Sequence, residues 1–211
     1  MFSRKVIILF LFFLSLCIKS QTLDSIINLY KNAKHDTDKI KYAAKLSWEY
    51  RQLGSYKEAF DYAQQALEKS QQINYVSGIA NGSNALAAVY DDQGNYPKAL
   101  NYYLNTLKIH EQLNDSLGIC RDYNNIGLLY CHLSNYKTAL EYYSKGIQLA
   151  EILHNNVFLS ALYFNIGSVY TYTEKYKEST ECYLKSVSID TVLEDDYAIS
   201  DCYTNIGINY N

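Results

Sequence analysis

The sequence predicts an all-α fold built from repeated helix pairs. Three observations carry this reading. Five sets of residues recur at a fixed 40-residue step, and the apolar residues inside each unit fall at helical spacing. The 211 residues include a single Pro and nine Gly, too few for a turn-rich β fold. Tyr50, Tyr90, Tyr130, Tyr170 and Tyr210 form one column, and Tyr56, Tyr96, Tyr136 and Tyr176 another. Ala59, Ala99 and Ala139 follow the same step, with Ser179 in the fourth slot. So do Leu67, Leu107, Ile147 and Val187, and Ile73, Leu113, Leu153 and Leu193. Asn125, Asn165 and Asn205 each precede Ile-Gly.

The first element, 1–20, reads as an export signal. Arg4 and Lys5 precede a nearly unbroken apolar run from Val6 to Ile18, thirteen residues long. That is the length of a secretory apolar core and short of the ~20 residues a helix needs to cross a bilayer. Cleavage after Ser20 would leave Gln21 at the mature terminus. Cys17 after Leu14-Ser15-Leu16 offers a lipid-anchor alternative, although Leu16 stands where a small residue is usual. An uncleaved anchor is the third option. Residues 21–37 follow as a leading helix, with Ile26, Ile27 and Tyr30 on one face to cover the array.

The array fills 38–211, in units 40–79, 80–119, 120–159 and 160–199 and an incomplete 200–211. In the third unit Tyr123, Ile126, Gly127 and Tyr130 sit at i, i+3, i+4 and i+7, and Tyr136, Ala139, Leu140, Tyr143 and Ile147 resume the pattern after a break. The breaks are Gly54-Ser55, Gly94-Asn95, Ser134-Asn135 and Glu174-Lys175, and Pro97 falls in the first turn of a helix, where its missing N–H does no harm. Between units the turns fall at Asn74, Asn114-Asp115, Asn155-Asn156 and Glu194-Asp195-Asp196. Each unit should be a helix, a tight turn, a longer helix and a second turn. The 23 tyrosines then read as core rings set beside small residues (Ala87, Gly127, Gly167, Ala99, Ala139). Truncating a buried one, such as Tyr130→Ala, should cost about 3–5 kcal/mol.

These residues resemble the tetratricopeptide repeat. The match is carried by Tyr123, Asn125-Ile126-Gly127, Tyr130, Tyr136, Ala139, Tyr143, Gly146 and Ile147. It is carried again by Leu86, Ala87, Tyr90, Gly94, Tyr96, Ala99, Tyr103 and Leu107, and by Tyr163, Asn165, Ile166, Gly167, Tyr170, Tyr176, Tyr183 and Val187. The period of 40 exceeds the family's usual 34, and the Pro that ends its second helix is missing, both consistent with longer helices. The resemblance implies a superhelical solenoid of antiparallel helix pairs whose first helices line a concave face. That face would hold Trp48, Arg51, Asn84, Ala88, Asp91, Arg121, Asn124, Leu128, His132, Phe164, Ser168 and Tyr172. Amides and Arg suit a peptide backbone and its carboxylates, and rings suit its side chains. The Lys and Asn set of the family's carboxylate-clamp members is not reproduced.

Other chemistry is missing from the sequence. It has no phosphate loop, GxGxxG, HExxH or GxSxG motif. Cys120, Cys131, Cys182 and Cys202 show no zinc spacing and read as small buried thiols. His35, His110, His132 and His154 never pair at i, i+4 and read as surface or groove residues. Asp91-Asp92 and Asp195-Asp196 read as solvated acids. Residues 1–20 carry three basic groups and no acid, so the remainder holds 16 basic against 22 acidic residues, which argues against a nucleic-acid partner. No catalytic, metal or cofactor site is expected.

The expected function is a non-catalytic scaffold for a protein or peptide outside the cytoplasm, touching a membrane only through its N-terminus or a downstream segment. The alternative is that the chain resembles the N-terminal sensor region of bacterial signal-transduction proteins with a histidine kinase or helix-turn-helix output. Residues 197–211 repeat the first helix of a unit without its second, which favours a longer protein. Reading the gene past the Asn211 codon checks this. An open frame with an apolar span and an output domain is expected under the sensor reading, and more repeats closed by a polar cap would overturn it.

Overall fold

In a computed structural model, which describes residues 22–210, the described residues form ten helices and no strand. The export segment expected at 1–20, with Cys17, lies outside them. A leading helix, α1 (22–32), is followed by α2 (Asp36–Gln52), α3 (Tyr56–Gln72), α4 (Val76–Asp92), α5 (Tyr96–Leu113) and α6 (Ser116–His132). Then come α7 (Tyr136–Ile152), α8 (Asn156–Tyr172), α9 (Tyr176–Leu193) and α10 (Asp196–Asn209). The chain is an all-α solenoid. It divides into two compact units, one ending at Asn95 and one beginning at Tyr96. The second helix of a pair is longer by one residue in α4–α5 and α8–α9 and equal in α2–α3 and α6–α7. All helices from α2 to α9 have 17 or 18 residues. Two such helices and two short turns make the 40-residue step.

The turns share one construction. At Gly54, Asn74, Gly94, Asn114, Ser134, His154, Glu174 and Glu194, each 20 residues apart, φ lies between +51° and +72°. The N–H of that residue returns to the carbonyl three before it, and the next N–H to the carbonyl five before it. Gly54 N–H donates to Arg51 O at 2.9 Å and Ser55 N–H to Tyr50 O at 2.9 Å, and Ser134 and Asn135 repeat the pair with Cys131 and Tyr130. Two helix-end carbonyls are thereby satisfied at every junction. The residue that makes the longer bond also starts the next helix. Asp115, Asn135, Asn155 and Asp195 do so with a side chain that accepts from the N–H three residues on.

In the first unit α3 packs on α2 and α4. Backbone comes close to backbone at Gly82, where a Cβ would come within 2.7 Å of the Leu67 main chain. Ile26 of α1 is buried, and the Tyr30 hydroxyl donates to Gln65 of α3 at 2.8 Å. In the second unit the core joins Cys120, Ala139, Tyr143, Ala150, Leu162, Ile166 and Val169. Gly127 and Gly167 leave room for the Tyr143 and Tyr183 rings, which would stand 2.5 and 2.8 Å from a Cβ there.

The Ala59, Ala99, Ala139, Ser179 column is fully buried, as small core positions should be. The tyrosine columns are not. Tyr50, Tyr90, Tyr130 and Tyr170 are half-buried, and Tyr56 and Tyr176 are exposed. These rings sit at helix ends beside the turns, where they stack on neighbours, as Tyr130 does on Tyr142 at 5.7 Å. The enclosed tyrosines are Tyr103, Tyr143 and Tyr183. The cost expected for Tyr130→Ala therefore belongs to Tyr143→Ala, at about 3–5 kcal/mol. Burial pushes the Tyr143 hydroxyl far above its ordinary pKa, and its bond with Cys131 Sγ at 3.5 Å adds to this.

Two further expectations are corrected. His110 is neither a surface nor a groove residue. It is buried, its Nδ1 is 2.6 Å from Oδ2 of the fully buried Asp122, and its Nε2 is 3.9 Å from Asp115. Asp91, expected to be solvated, is also buried, while Asp92 beside it is exposed. A single residue step, about 100° around the helix, brings Asp91 inward against the unit and leaves its neighbour facing out.

Two stability tests follow. Non-glycine residues at positive φ cost about 1 kcal/mol each, so Glu174→Gly should raise stability by about that much, and Gly94→Ala, which meets no atom within 4 Å but keeps φ +71°, should lower it. Denaturant titration checks both. His110→Ala should cost about 3 kcal/mol by removing the imidazole from buried Asp122. The pair His110→Ala with Asp122→Leu copies Ala150 and Leu162, which fill the same buried positions one repeat later, and should recover most of the loss. A double variant no more stable than His110→Ala alone would refute this equivalence.

Candidate functional site

The face expected to bind is built by the first helix of each pair. In the first unit these are α2 and α4. Trp48 is 52% exposed and lines a small recess of about 90 Å³ with Leu23, Glu49 and Leu53. Arg51 does not point to open space. Its guanidinium grips Asp92 of α4 with two bonds, Nε to Oδ2 at 2.6 Å and Nη2 to Oδ1 at 3.0 Å. This bidentate pair spans the two helices and satisfies much of the Arg51 donor set. Asn84 is half-buried, and Ala88 and Asp91 are buried. The accessible part of this stretch is therefore the Trp48 ring beside a neutralised ion pair.

In the second unit the first helices are α6, α8 and α10. Arg121, Leu128 and His132 are exposed. Asn124 is half-buried, and its Oδ1 accepts from Asn165 Nδ2 of α8 at 2.8 Å. Two amides thus bridge neighbouring first helices and leave polar atoms on both sides for an extended chain. The Phe164 ring is half-buried, 5.4 Å from the ring of Tyr183, whose hydroxyl lies 3.1 Å from Ser168 Oγ. His132 and Tyr172 lie at helix ends. Each packs on the tyrosine that opens the second helix of a pair: His132 on Tyr96 at 6.0 Å, and Tyr172 on Tyr136 at 6.1 Å and 13°. Tyr172 remains 67% exposed.

Phe164 and Asn165 also line a cavity of about 500 Å³ between α8, α9 and α10. Its size is that of a small-ligand site. Its other walls include Val157, Ala161, Asp190, Tyr197 and Asp201. None of those five stood among the expected site residues. One signal could have found Asp190: it shares a 40-residue column with Ser70, His110 and Ala150, all buried, so an acid there is an acid in the interior.

Cys120, Cys131, Cys182 and Cys202 are free. Burial pushes the Cys120 thiol up to about 11, so it stays protonated near neutrality. Among the described residues no group of three or more His, Cys, Asp or Glu is placed to hold a metal ion.

Three models of the tetratricopeptide repeat match the sequence, at residues 41–74, 78–152 and 160–192. No curated protein matches it. Many solved structures share its fold. A Rap protein complexed with Competence and Sporulation Factor has a TM-score of 0.78 at 17% identity, over 95% of this chain and 62% of its own. PlcR of Bacillus thuringiensis, solved with the peptide PapR7 and DNA, has a TM-score of 0.74 at 20% identity, over 90% of this chain and 70% of its own. A signal-transduction ATPase with a tetratricopeptide repeat sensor, from Pyrococcus horikoshii, has a TM-score of 0.75 at 17% identity, over 92% of this chain and 31% of its own. At these identities the likeness is one of fold.

Proposed function

Because this chain is a tetratricopeptide-repeat protein, we propose that the faces of its first helices bind an extended peptide or a segment of a partner protein, without catalysis and outside the cytoplasm. The observation that carries the reading is the cavity of about 500 Å³ on α8, where a ring (Phe164) and an amide (Asn165) of one helix stand at the mouth of a pocket. An aromatic anchor point beside backbone-reading amides is what an extended chain needs. The same fold occurs in the Rap protein solved with a competence factor and in PlcR solved with a peptide, which supports a ligand of this class. The location rests on the basic and apolar pattern of residues 1–20.

A second reading keeps the same face and makes it the receiver of a longer signalling protein. Its support is the likeness to the sensor of the Pyrococcus horikoshii ATPase, of whose length this chain spans 31%.

Selection of a displayed random decapeptide library on the purified full-length chain tests the face. Saturable binders are expected, weakened about tenfold by Asn124→Ala and by Phe164→Ala, the loss of a hot-spot contact in each case. Binders that ignore both variants would place recognition elsewhere. Fusing residues 1–20 to a reporter active only outside the cytoplasm tests the location. An inactive, intact fusion would overturn it.

A further inference from the structure

The cavity between α8, α9 and α10 has a charge that its own walls leave unanswered. Asp190 is 2% exposed and lines the cavity together with Asp195 and Asp201. One side-chain hydrogen bond reaches its carboxylate, from Ser186 Oγ at 3.1 Å to Oδ2, and Ser186 Oγ itself lies 2.9 Å from Ser160 Oγ. Among the described residues no basic side chain pairs with Asp190, and none lines the cavity. The adjacent Cys202 supplies no positive charge. Burial, opposed by a Ser186 hydrogen bond and reinforced by the Asp190 carboxylate, holds its thiol above its ordinary pKa. A buried carboxylate with a single hydroxyl donor is an incomplete arrangement, because desolvation of the charge is repaid only by a counter-charge or several donors.

The scaffold does not require this acid. One repeat earlier the corresponding positions hold Ala150 for Asp190, Asn155 for Asp195 and Ala161 for Asp201, and Ala150 is fully buried in an ordinary apolar core. Asp195 serves as the cap of α10, as Asp115 caps α6, so Asp190 and Asp201 are the two carboxylates at this opening where the preceding repeat has alanine. The remaining walls mix neutral polar groups (Ser160, Asn165, Ser186) with apolar and aromatic ones, among them Val157, Phe164 and Tyr197. Acid in the floor and rings at the side describe a subsite for a delocalised organic cation, which can pair with carboxylate and stack on an aromatic face together. A bare metal ion fits poorly, since the carboxylates do not converge into a ligand set.

We propose that this cavity is the specificity pocket for a basic side chain, arginine above lysine, of the peptide laid along the face. This rests on the peptide-binding reading above. The guanidinium enters beside Phe164 and Tyr197 and pairs with Asp190, with Asp201 at the rim. The occupant supplies the counter-charge that the chain itself withholds.

The test uses the decapeptides selected on the full-length protein. Arginine should be enriched among them. Exchanging that arginine for citrulline, which keeps the shape and drops the charge, should weaken binding to the unaltered protein about tenfold, the loss of a charge-assisted bond. The same exchange should cost little with Asp190→Asn, whose pocket no longer carries the charge. If thermal melting shows that Asp190→Asn fails to fold, half-exposed Asp201→Asn carries the same comparison. Ala161→Arg, which copies Arg121 one repeat earlier, should fill the pocket from within and abolish the arginine preference. Binders without basic residues, or a citrulline penalty equal in both proteins, would overturn the pocket assignment and leave the peptide-binding face standing. An absence of binders would remove both.

Discussion

Eight times along the described chain, at residues 20 apart, the backbone turns through the left-handed region, and the packing within each unit depends on those turns. Each is a helix end whose last carbonyls are closed by two returning N–H groups. The residue making the second of these bonds already stands at the start of the next helix. Helices of 17 or 18 residues are thus reversed against each other by two or three residues, with their apolar faces brought together. Side-chain packing then acts on helices whose direction is already set. The small residues at Ala59, Ala99, Ala139 and Ser179 allow the close approach, and Tyr143 and Tyr183 fill what Gly127 and Gly167 leave open.

Inside this frame the same buried position carries different chemistry in different repeats. The column of Ser70, His110, Ala150 and Asp190 runs through a hydroxyl, an imidazole, a methyl and a carboxylate. Facing positions are adjusted to match where they can be. His110 has Asp122, and Ala150 lies in the core beside Leu162. A repeated backbone with locally compensated interiors gives each junction its own character without changing its geometry. Where compensation is incomplete, at Asp190, the departure lies beside an open cavity and not in sealed core.

Much of this fold could be read from the sequence because the repeat is long and its columns are independent. The helix breaks followed from Gly54, Asn74, Gly94 and Asn114, residues suited to a left-handed turn. Ser134, His154 and Glu174 announce nothing of the kind, and only their place in the 20-residue series reveals the same conformation. Tyrosine burial was misjudged for a related reason. Periodicity identifies which residues are equivalent, but not how near the end of a helix they stand, and Tyr130 is close enough to the turn to keep an edge in solvent. The face was harder still. Nothing local to Arg51 says that Asp92, on another helix, already holds its guanidinium. Asp122 and Asp190 look like surface acids until their columns are followed into the interior.

The junction that serves two helices at once also limits how such a chain can change its length. A residue deleted inside a helix turns everything beyond it by about 100° about the axis, moving an apolar stripe out of its contact. Ordinary loops absorb such errors in slack. Here the linking residues are all engaged, one in the left-handed turn and the next in closing one helix while opening another. Small insertions and deletions are therefore exposed to selection almost everywhere along the array. Whole helix pairs can be copied or lost with every joint intact, so inheritance in this architecture is digital, counted in units and not in residues.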